Sequence, residues 1–430
     1  MKKKWIAVLT AVTIVTTTVA PQAAITAQAA PVTEESIGLL GASTTTGAEK
    51  DSNGDGVSDN GFVYQVSGTT ATITAYRGTA TALTVPLRIE VGASTSGSTA
   101  TTAATYDVTA IGSAAFAGNA GLTTVTMQGG TPTTGSGSSS TATAAVGLQT
   151  IGDRAFYGCP SLTTVTIPAT ATTIGSQAFS DCPALNALNV TAGNQRYISN
   201  DGVLYQYVGY NSGAVGSYNT YTLMQYPSGK TSTTFAVPAS IASRLTAIGQ
   251  GAFAGAQTLT SVTLPETVES IGAEAFRNCS ALTSITIPSK VTNISSYAFS
   301  GCSALATVSI PSTVTSIADG AFQNCYALSA IALPEKLTTI SNSTFYGCSK
   351  LSEVTIPMGV VNIGATAFAY CTSLVKITIP TSVTAIGANA FLGVNGLTMY
   401  CHSGSPAANY ASSNKIGVVM TYTVRFLSDT

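Results

Sequence analysis

The sequence predicts a solenoid of parallel strands, and three observations carry that prediction. Phe253, Phe276, Phe299, Phe322, Phe345, Phe368 and Phe391 are each 23 residues apart. An isoleucine stands five residues before each, from Ile248 to Ile386, and a leucine six residues after each, from Leu259 to Leu397. From each leucine the pattern L-x-x-[VI]-x-[IL] alternates apolar residues, as a short strand with one buried face does. Six of these runs stop at a proline, at Pro265, Pro288, Pro311, Pro334, Pro357 and Pro380. Proline cannot donate to a strand ladder, so it ends the strand there.

The unit is read most plainly from residues 271–293, IGAEAFRNCSALTSITIPSKVTN. Leu282, Ile285 and Ile287 form the strand; Val291 and Ile294 bring the chain back across the core. The Ala-Phe pair is expected in a short helical turn on the other side, its ring filling the space between layers. No unit buries its apolar face alone, so neighbours stack and share one core. Earlier copies centre on Phe116, Phe156 and Phe179. The predicted fold class is therefore an α/β solenoid, a leucine-rich array of about ten 23-residue units. Parallel strands line one side and short helical turns the other, with a β-rich N-terminal cap and a capped C-terminal end.

Composition agrees with that plan. Of 430 residues only 8% are charged, 17 basic against 18 acidic, while 45% are hydrophobic. Past the N-terminus no apolar run reaches the ~18–20 residues of a membrane-spanning helix. Near-neutral balance removes the basic footprint of a nucleic-acid binder. One histidine, His402, leaves little room for His-dependent catalysis and makes a HExxH zinc site impossible. There is no G-x-S-x-G elbow and no phosphate-binding P-loop. The acids are thinly scattered, so no carboxylate pair of the glycoside-hydrolase kind is legible in sequence.

Residues 1–30 read as a secretory signal: Lys2, Lys3 and Lys4, an apolar stretch from Trp5 to about Ala20, then Ala27, Ala29 and Ala30 as an A-x-A-like site. Cleavage would remove the sole tryptophan. Residues 31–60 read as a flexible linker. Within it Asp51, Asn53, Asp55 and Asp59 alternate around Gly56. That spacing collects oxygens on one side of a tight loop, as calcium requires; the other reading is a plain Asn/Gly/Asp turn. The residue in place of the twelfth-position glutamate is Phe62, which excludes a full EF-hand. No other cofactor is implied.

The recurring I-G-x-x-A-F-x-x-C-x-x-L-x-x-[VI]-x-[IL]-P unit resembles the BspA-like bacterial leucine-rich repeat proteins, over most of residues 105–400. Residues 61–105 are similar to the β-rich N-terminal cap of that family. The array proper spans 106–400, with insertions near 128–146 and 191–236, and residues 401–430 form a C-terminal cap and strand. The resemblance implies a secreted or cell-surface protein, non-catalytic, that adheres to an extracellular protein or glycan. No nucleic acid partner, no membrane span after signal cleavage, and a monomer are expected. Two alternatives stand beside adhesion: a structural spacer that displays another envelope module, and a carbohydrate-active enzyme.

Seven of the eight cysteines occupy one column, three residues after the phenylalanine: Cys159, Cys182, Cys279, Cys302, Cys325, Cys348 and Cys371. Equivalent positions in stacked coils have near-parallel Cβ vectors about 5 Å apart, too far for a disulfide's ~3.8 Å. The column is expected to be a ladder of buried free thiols alongside the phenylalanine ladder. Exposed strand positions should include Thr260, Ser261, Thr263, Thr283, Ser284, Thr286, Thr355, Lys376 and Thr378, a face of small hydroxyls without aromatic anchors. Residues 191–236 break the period and hold seven of the 18 tyrosines. Tyr210, Tyr218 and Tyr221 are the ligand-binding candidates there; packing of the insertion onto the array is the other use for such residues. Ser405-Pro406 reads as a helix start, serine at the N-cap and proline at the first helical position.

Overall fold

The computed structural model describes residues 48–51, 56–92, 103–130, 147–209 and 220–421, all within one compact unit spanning Ala42–Thr430. The signal-like stretch 1–30 lies outside the described residues. What the repeat builds is a β-solenoid of about 11 turns.

Each regular coil carries two strands. The longer comes from the L-x-x-[VI]-x motif, as in Ser261–Thr263, Ser284–Thr286 and Thr307–Ser309, which pair in parallel. A shorter, two-residue strand ends on the repeat isoleucine, as in Ser270–Ile271, Asn293–Ile294 and Ser316–Ile317. Ile271 pairs with Ile294 and Ile294 with Ile317, one period apart. In-register pairing follows from the sequence, because a one-residue slip would turn every core residue outward. Between the two strands the proline carbonyl accepts from the amide three residues on: Pro265 from Val268 at 3.1 Å, Pro288 from Val291 at 3.1 Å. The residue that ends one strand thus shapes the corner leading to the next.

The third side differs from expectation. Among the described residues only Ala239–Ala242 and Pro406–Ser413 are α-helical. Where a short helical turn was expected, the chain makes i→i+3 turns interrupted by left-handed residues two positions before and two after each phenylalanine. Examples are Glu274 (φ 59°) and Asn278 (φ 59°) around Phe276. A left-handed residue turns the peptide plane outward, so every second amide of the turn bonds to the next coil while those between bond back along their own turn. Phe276 N–H donates to Ala298 at 2.7 Å and Phe299 N–H to Ala321 at 2.8 Å. Backbone bonding between coils therefore runs along the turn side as well as through the strands.

Inside, the phenylalanine rings stack in one column. Successive centroids from Phe253 to Phe391 lie 4.8–5.8 Å apart with ring planes within 17° of each other. The thiols stand beside them, all eight cysteines free and buried. Each column thiol donates to the phenylalanine carbonyl of the preceding coil: Cys279 to Phe253 at 3.1 Å, Cys302 to Phe276 at 3.0 Å, Cys325 to Phe299 at 3.2 Å, Cys348 to Phe322 at 3.1 Å and Cys371 to Phe345 at 3.1 Å. A small residue with a weak donor suits the second lone pair of a carbonyl that already accepts the amide three residues on, as Phe276 does from Cys279 at 3.2 Å.

At the N-terminal side Phe62–Ser67 and Thr70–Tyr76 form a hairpin. Tyr76 continues the ring column, 5.2 Å from Phe62 and 5.7 Å from Phe116. Insertion 128–146 meets at its base in a bridge between Gly129 and Gly147; residues 131–146 lie outside the described set.

The second insertion is a partition. Tyr197–Asn200 and Val203–Val208 pair antiparallel across a turn at Asp201 (φ 48°) and Gly202 (φ 73°), and Val203–Val208 pairs with Thr220–Gln225. Two positive φ values in succession match the twist of a tight hairpin. Leu204 and Tyr197 pack into the core of the earlier coils, whereas Val203, Tyr205 and Tyr221 pack into the core of the later ones. Strand alternation thus divides the interior into two apolar cores. Tyr226 then takes the place of a repeat phenylalanine: its N–H donates to Ala252 at 2.7 Å, and its ring stacks 5.4 Å from Phe253. Aromatic character rather than phenylalanine itself is what the column requires.

Candidate binding surfaces

The hydroxyl-bearing strand face lies where the repeat places it. Ser261, Thr263, Thr283, Ser284, Thr286, Thr355, Lys376 and Thr378 are exposed, and Thr260 is half-buried. Part of that face is occupied by the fold itself. Thr260 Oγ1 donates to Thr233 at 3.0 Å, and Thr283 Oγ1 to Thr260 at 3.1 Å. In this column the hydroxyl caps a carbonyl of the preceding coil. Near the C-terminal end the face changes: Lys376 is exposed and holds its ammonium 4.9 Å from the Tyr400 ring.

Of the proposed calcium loop, Asn53 and Asp55 lie outside the described residues. Asp51 is buried, and its Oδ2 accepts from the Tyr64 hydroxyl at 2.6 Å and the Gly56 amide at 3.0 Å. Its carboxylate therefore joins Asp51 to Gly56 and to the first hairpin. No group of three metal-ligating side chains occurs among the described residues.

Of the tyrosine candidates in the insertion, Tyr210 and Tyr218 lie outside the described residues. Tyr221 is 6% exposed, its ring 5.2 Å from Tyr207 and 5.1 Å from the Arg244 guanidinium, which also donates to its hydroxyl at 3.2 Å. Its surroundings are those of a packing residue. Tyr205 and Tyr226 are buried as well, and burial pushes the Tyr226 hydroxyl up to about 12.

A polar cluster that sequence reading missed spans the partition. Arg277 pairs with Asp181, 96 residues earlier, and its Nε lies 2.9 Å from Glu274. The Tyr157 hydroxyl donates to Asp181 and accepts from Arg277. Gln177 joins Glu274 at 3.1 Å to Arg154 at 3.0 Å. Beneath, buried Ser180 donates to Gln225 at 2.9 Å. Both carboxylates share one guanidinium, so each already has its counter-ion, and the adjoining cavity is only about 70 Å³. The cluster ties together coils that the insertion separates. Its sequence signal is faint: charged residues at positions flanking phenylalanine that most other units fill with uncharged ones.

A second missed feature lies on the turn side of the last coils. Tyr326 and Tyr370 are 49% and 43% exposed, and Tyr346, half-buried between them, meets Tyr370 edge to face at 5.3 Å. Burial, then the Tyr370 and Tyr326 phenols, push the Tyr346 hydroxyl up. Tyr370 lies over Gly393, which with Leu392 lines a groove of about 470 Å³. The groove is closed on its far side by the helix Pro406–Ser413 and the turn after it. The Ser405 hydroxyl caps that helix at Ala408 N–H, 3.2 Å, and Pro406 opens it, as the sequence predicts.

Fold and surface together define a parallel leucine-rich solenoid whose interior is uniform and whose exterior varies from coil to coil. Comparison with known families agrees. The BspA type leucine rich repeat region matches in six copies over residues 135–202, 235–350 and 275–398, more than half of the chain. The chain belongs to that family. Among solved structures it is similar to a leucine-rich repeat protein from Eubacterium ventriosum, at 26% identity and a TM-score of 0.45, covering 61% of this chain and 68% of that one. It is similar also to a leucine rich cell surface protein from Faecalibacterium prausnitzii, at 24% identity and a TM-score of 0.33, covering 84% and 96%. A third, a leucine-rich repeat protein from Bacteroides ovatus, is 20% identical with a TM-score of 0.38, covering 84% and 98%. No curated protein matches the chain.

Proposed function

We propose that this is an exported, surface-associated protein that holds an extracellular protein or glycan on the exterior of its solenoid without catalysis. One observation carries the reading: the uneven placement of exposed apolar side chains. Tyr326, Met358, Val361, Tyr370, Val375 and Leu392 are 39–75% exposed, whereas no large apolar residue between Phe253 and Cys325 is exposed. The same fold is built without such residues in the earlier coils, so the later ones carry them for a reason other than folding. Exposed apolar groups that adjoin one another mark interaction sites, and on the turn side Tyr370 meets Tyr346 at 5.3 Å and lies over Gly393, next to Leu392. In this reading residues 1–30 direct export, and the C-terminal helix and strand close the array. The test is an array of glycans and matrix proteins probed with residues 31–430. Retention by at least one class is expected; retention by none removes the reading.

A further inference from the structure

The left-handed position two residues after each phenylalanine follows a rule. In nine of ten units it holds Gly, Asn or Asp: Gly118, Gly158, Asp181, Gly255, Asn278, Gly301, Asn324, Gly347 and Gly393. Those are the residues that adopt positive φ most readily. The tenth is Tyr370, at φ 60°. A bulky residue there is an outlier that the local turn does not favour, and such outliers gather at functional sites. Its ring is exposed and touches two further departures from the repeat, Tyr346 on one side and the groove at Gly393 on the other.

We propose that Tyr326, Tyr346, Tyr370 and the adjoining groove form a binding site for a neutral oligosaccharide chain, a deepening that rests on the adhesion reading above. Phenol rings offer apolar faces for pyranose stacking together with a hydroxyl that can bond. Asn389 and Asn395 line the groove and make no side-chain hydrogen bond among the described residues, so their amides can both donate to and accept from sugar hydroxyls. The groove lining includes one cation, Lys415, and no carboxylate, which favours an uncharged ligand. Its volume falls within the ~300–1,000 Å³ of small-ligand clefts. The tyrosines stand on three consecutive coils, four, one and two residues after their phenylalanines, with the Tyr346 and Tyr370 rings 5.3 Å apart. Together they offer several aromatic faces and hydroxyls beside the groove to one extended chain of sugars.

Other coils supply the controls. Tyr370→Asn installs the residue found at Asn278 and Asn324, and Tyr326→Ser the residue found at Ser280, Ser303 and Ser349. Both variants should keep the melting temperature of the parent. Cellohexaose, mannohexaose and chitohexaose are titrated into residues 31–430 by calorimetry, beside the parent's retention on immobilised matrix proteins. The expected result is binding of at least one hexasaccharide, weakened about tenfold or more by the double variant. Failure of the parent to bind any of the three, or unchanged affinity in the double variant, overturns the proposal. Retention by matrix proteins alone overturns it while leaving the adhesion reading standing; retention by neither ends both.

Discussion

The coils from Phe253 to Phe391 and the partition around residues 177–250 solve one problem in opposite ways. In the first region a single set of contacts is repeated: ring on ring, thiol to carbonyl, isoleucine beside isoleucine. At the partition the set is unique. Two apolar cores end against the alternate faces of Val203–Val208, and the turns beyond are joined by Arg277, Asp181, Glu274 and Gln177. Repetition spreads stability evenly and binds each coil only to its neighbours. The partition concentrates it in a few polar contacts whose loss nothing alongside replaces.

The largest expected difference comes from cutting the ring column at its middle. Phe322→Ala removes a ring stacked on both sides and should destabilise by about 3–5 kcal/mol in denaturant titration. Phe391→Ala, which has Phe368 on one face and Tyr410 edge-on at 6.0 Å, should lose less. Equal losses would mean that stacking on both faces adds nothing.

Alkaline pH tests the thiol ladder. Burial pushes Cys371 up to about 12, against about 8.5 for an unfolded thiol. The folded chain therefore keeps a proton that the unfolded chain releases. That contribution is whole below about pH 8.5 and is lost as pH rises towards 12, about 2 kcal/mol for Cys371 alone by pH 10. Burial raises Cys325 and Cys348 in the same direction. Melting temperature should fall above about pH 9, and Cys371→Ala should soften the fall; a flat profile to pH 10.5 contradicts the ladder.

Arg277→Ala addresses the partition. It leaves two half-buried carboxylates without their shared cation and should destabilise by about 1–2 kcal/mol. Unfolding should also separate into two steps, one for each core. A double-mutant cycle with Asp181→Ala measures the pairing itself; zero coupling energy would reduce the cluster to surface charge.

The smallest effect should be a gain. The Tyr205 hydroxyl is buried with no hydrogen-bond partner among the described residues. Tyr205→Phe should therefore stabilise by about 0.5–1 kcal/mol in the same titration.

What could be read from sequence divides along the same line. The strands, the isoleucine return, the ring column and the free thiols follow from apolar spacing, and spacing survives in a one-dimensional string. The helical turns did not form, because two left-handed residues flank each phenylalanine, and at the position two residues before it that conformation leaves little trace in residue type. Arg154, Gln177, Glu274, Tyr297 and Thr366 all adopt it. Tyr226 escaped notice in the column because the insertion displaces it from the period. The Asp181–Arg277 pair joins residues 96 apart, a separation no repeat length predicts. The turn-side tyrosines were legible in principle, as departures from the consensus at otherwise regular positions.

From Gly255 to Gly393 the left-handed column after phenylalanine also alternates between glycine and a larger residue. The Asn278 amide oxygen lies 2.3 Å from where a Cβ on Gly301 would stand, Asn324 is 2.5 Å from that of Gly347, and the Tyr370 ring is 2.7 Å from that of Gly393. Each side chain leans over the next coil and fills the room that its glycine leaves. Geometrically the building block is thus a pair of coils, 46 residues long, although the apolar pattern repeats after 23. Excising one coil here would set two side chains on top of each other, or two glycines over a gap; excising two would restore the fit.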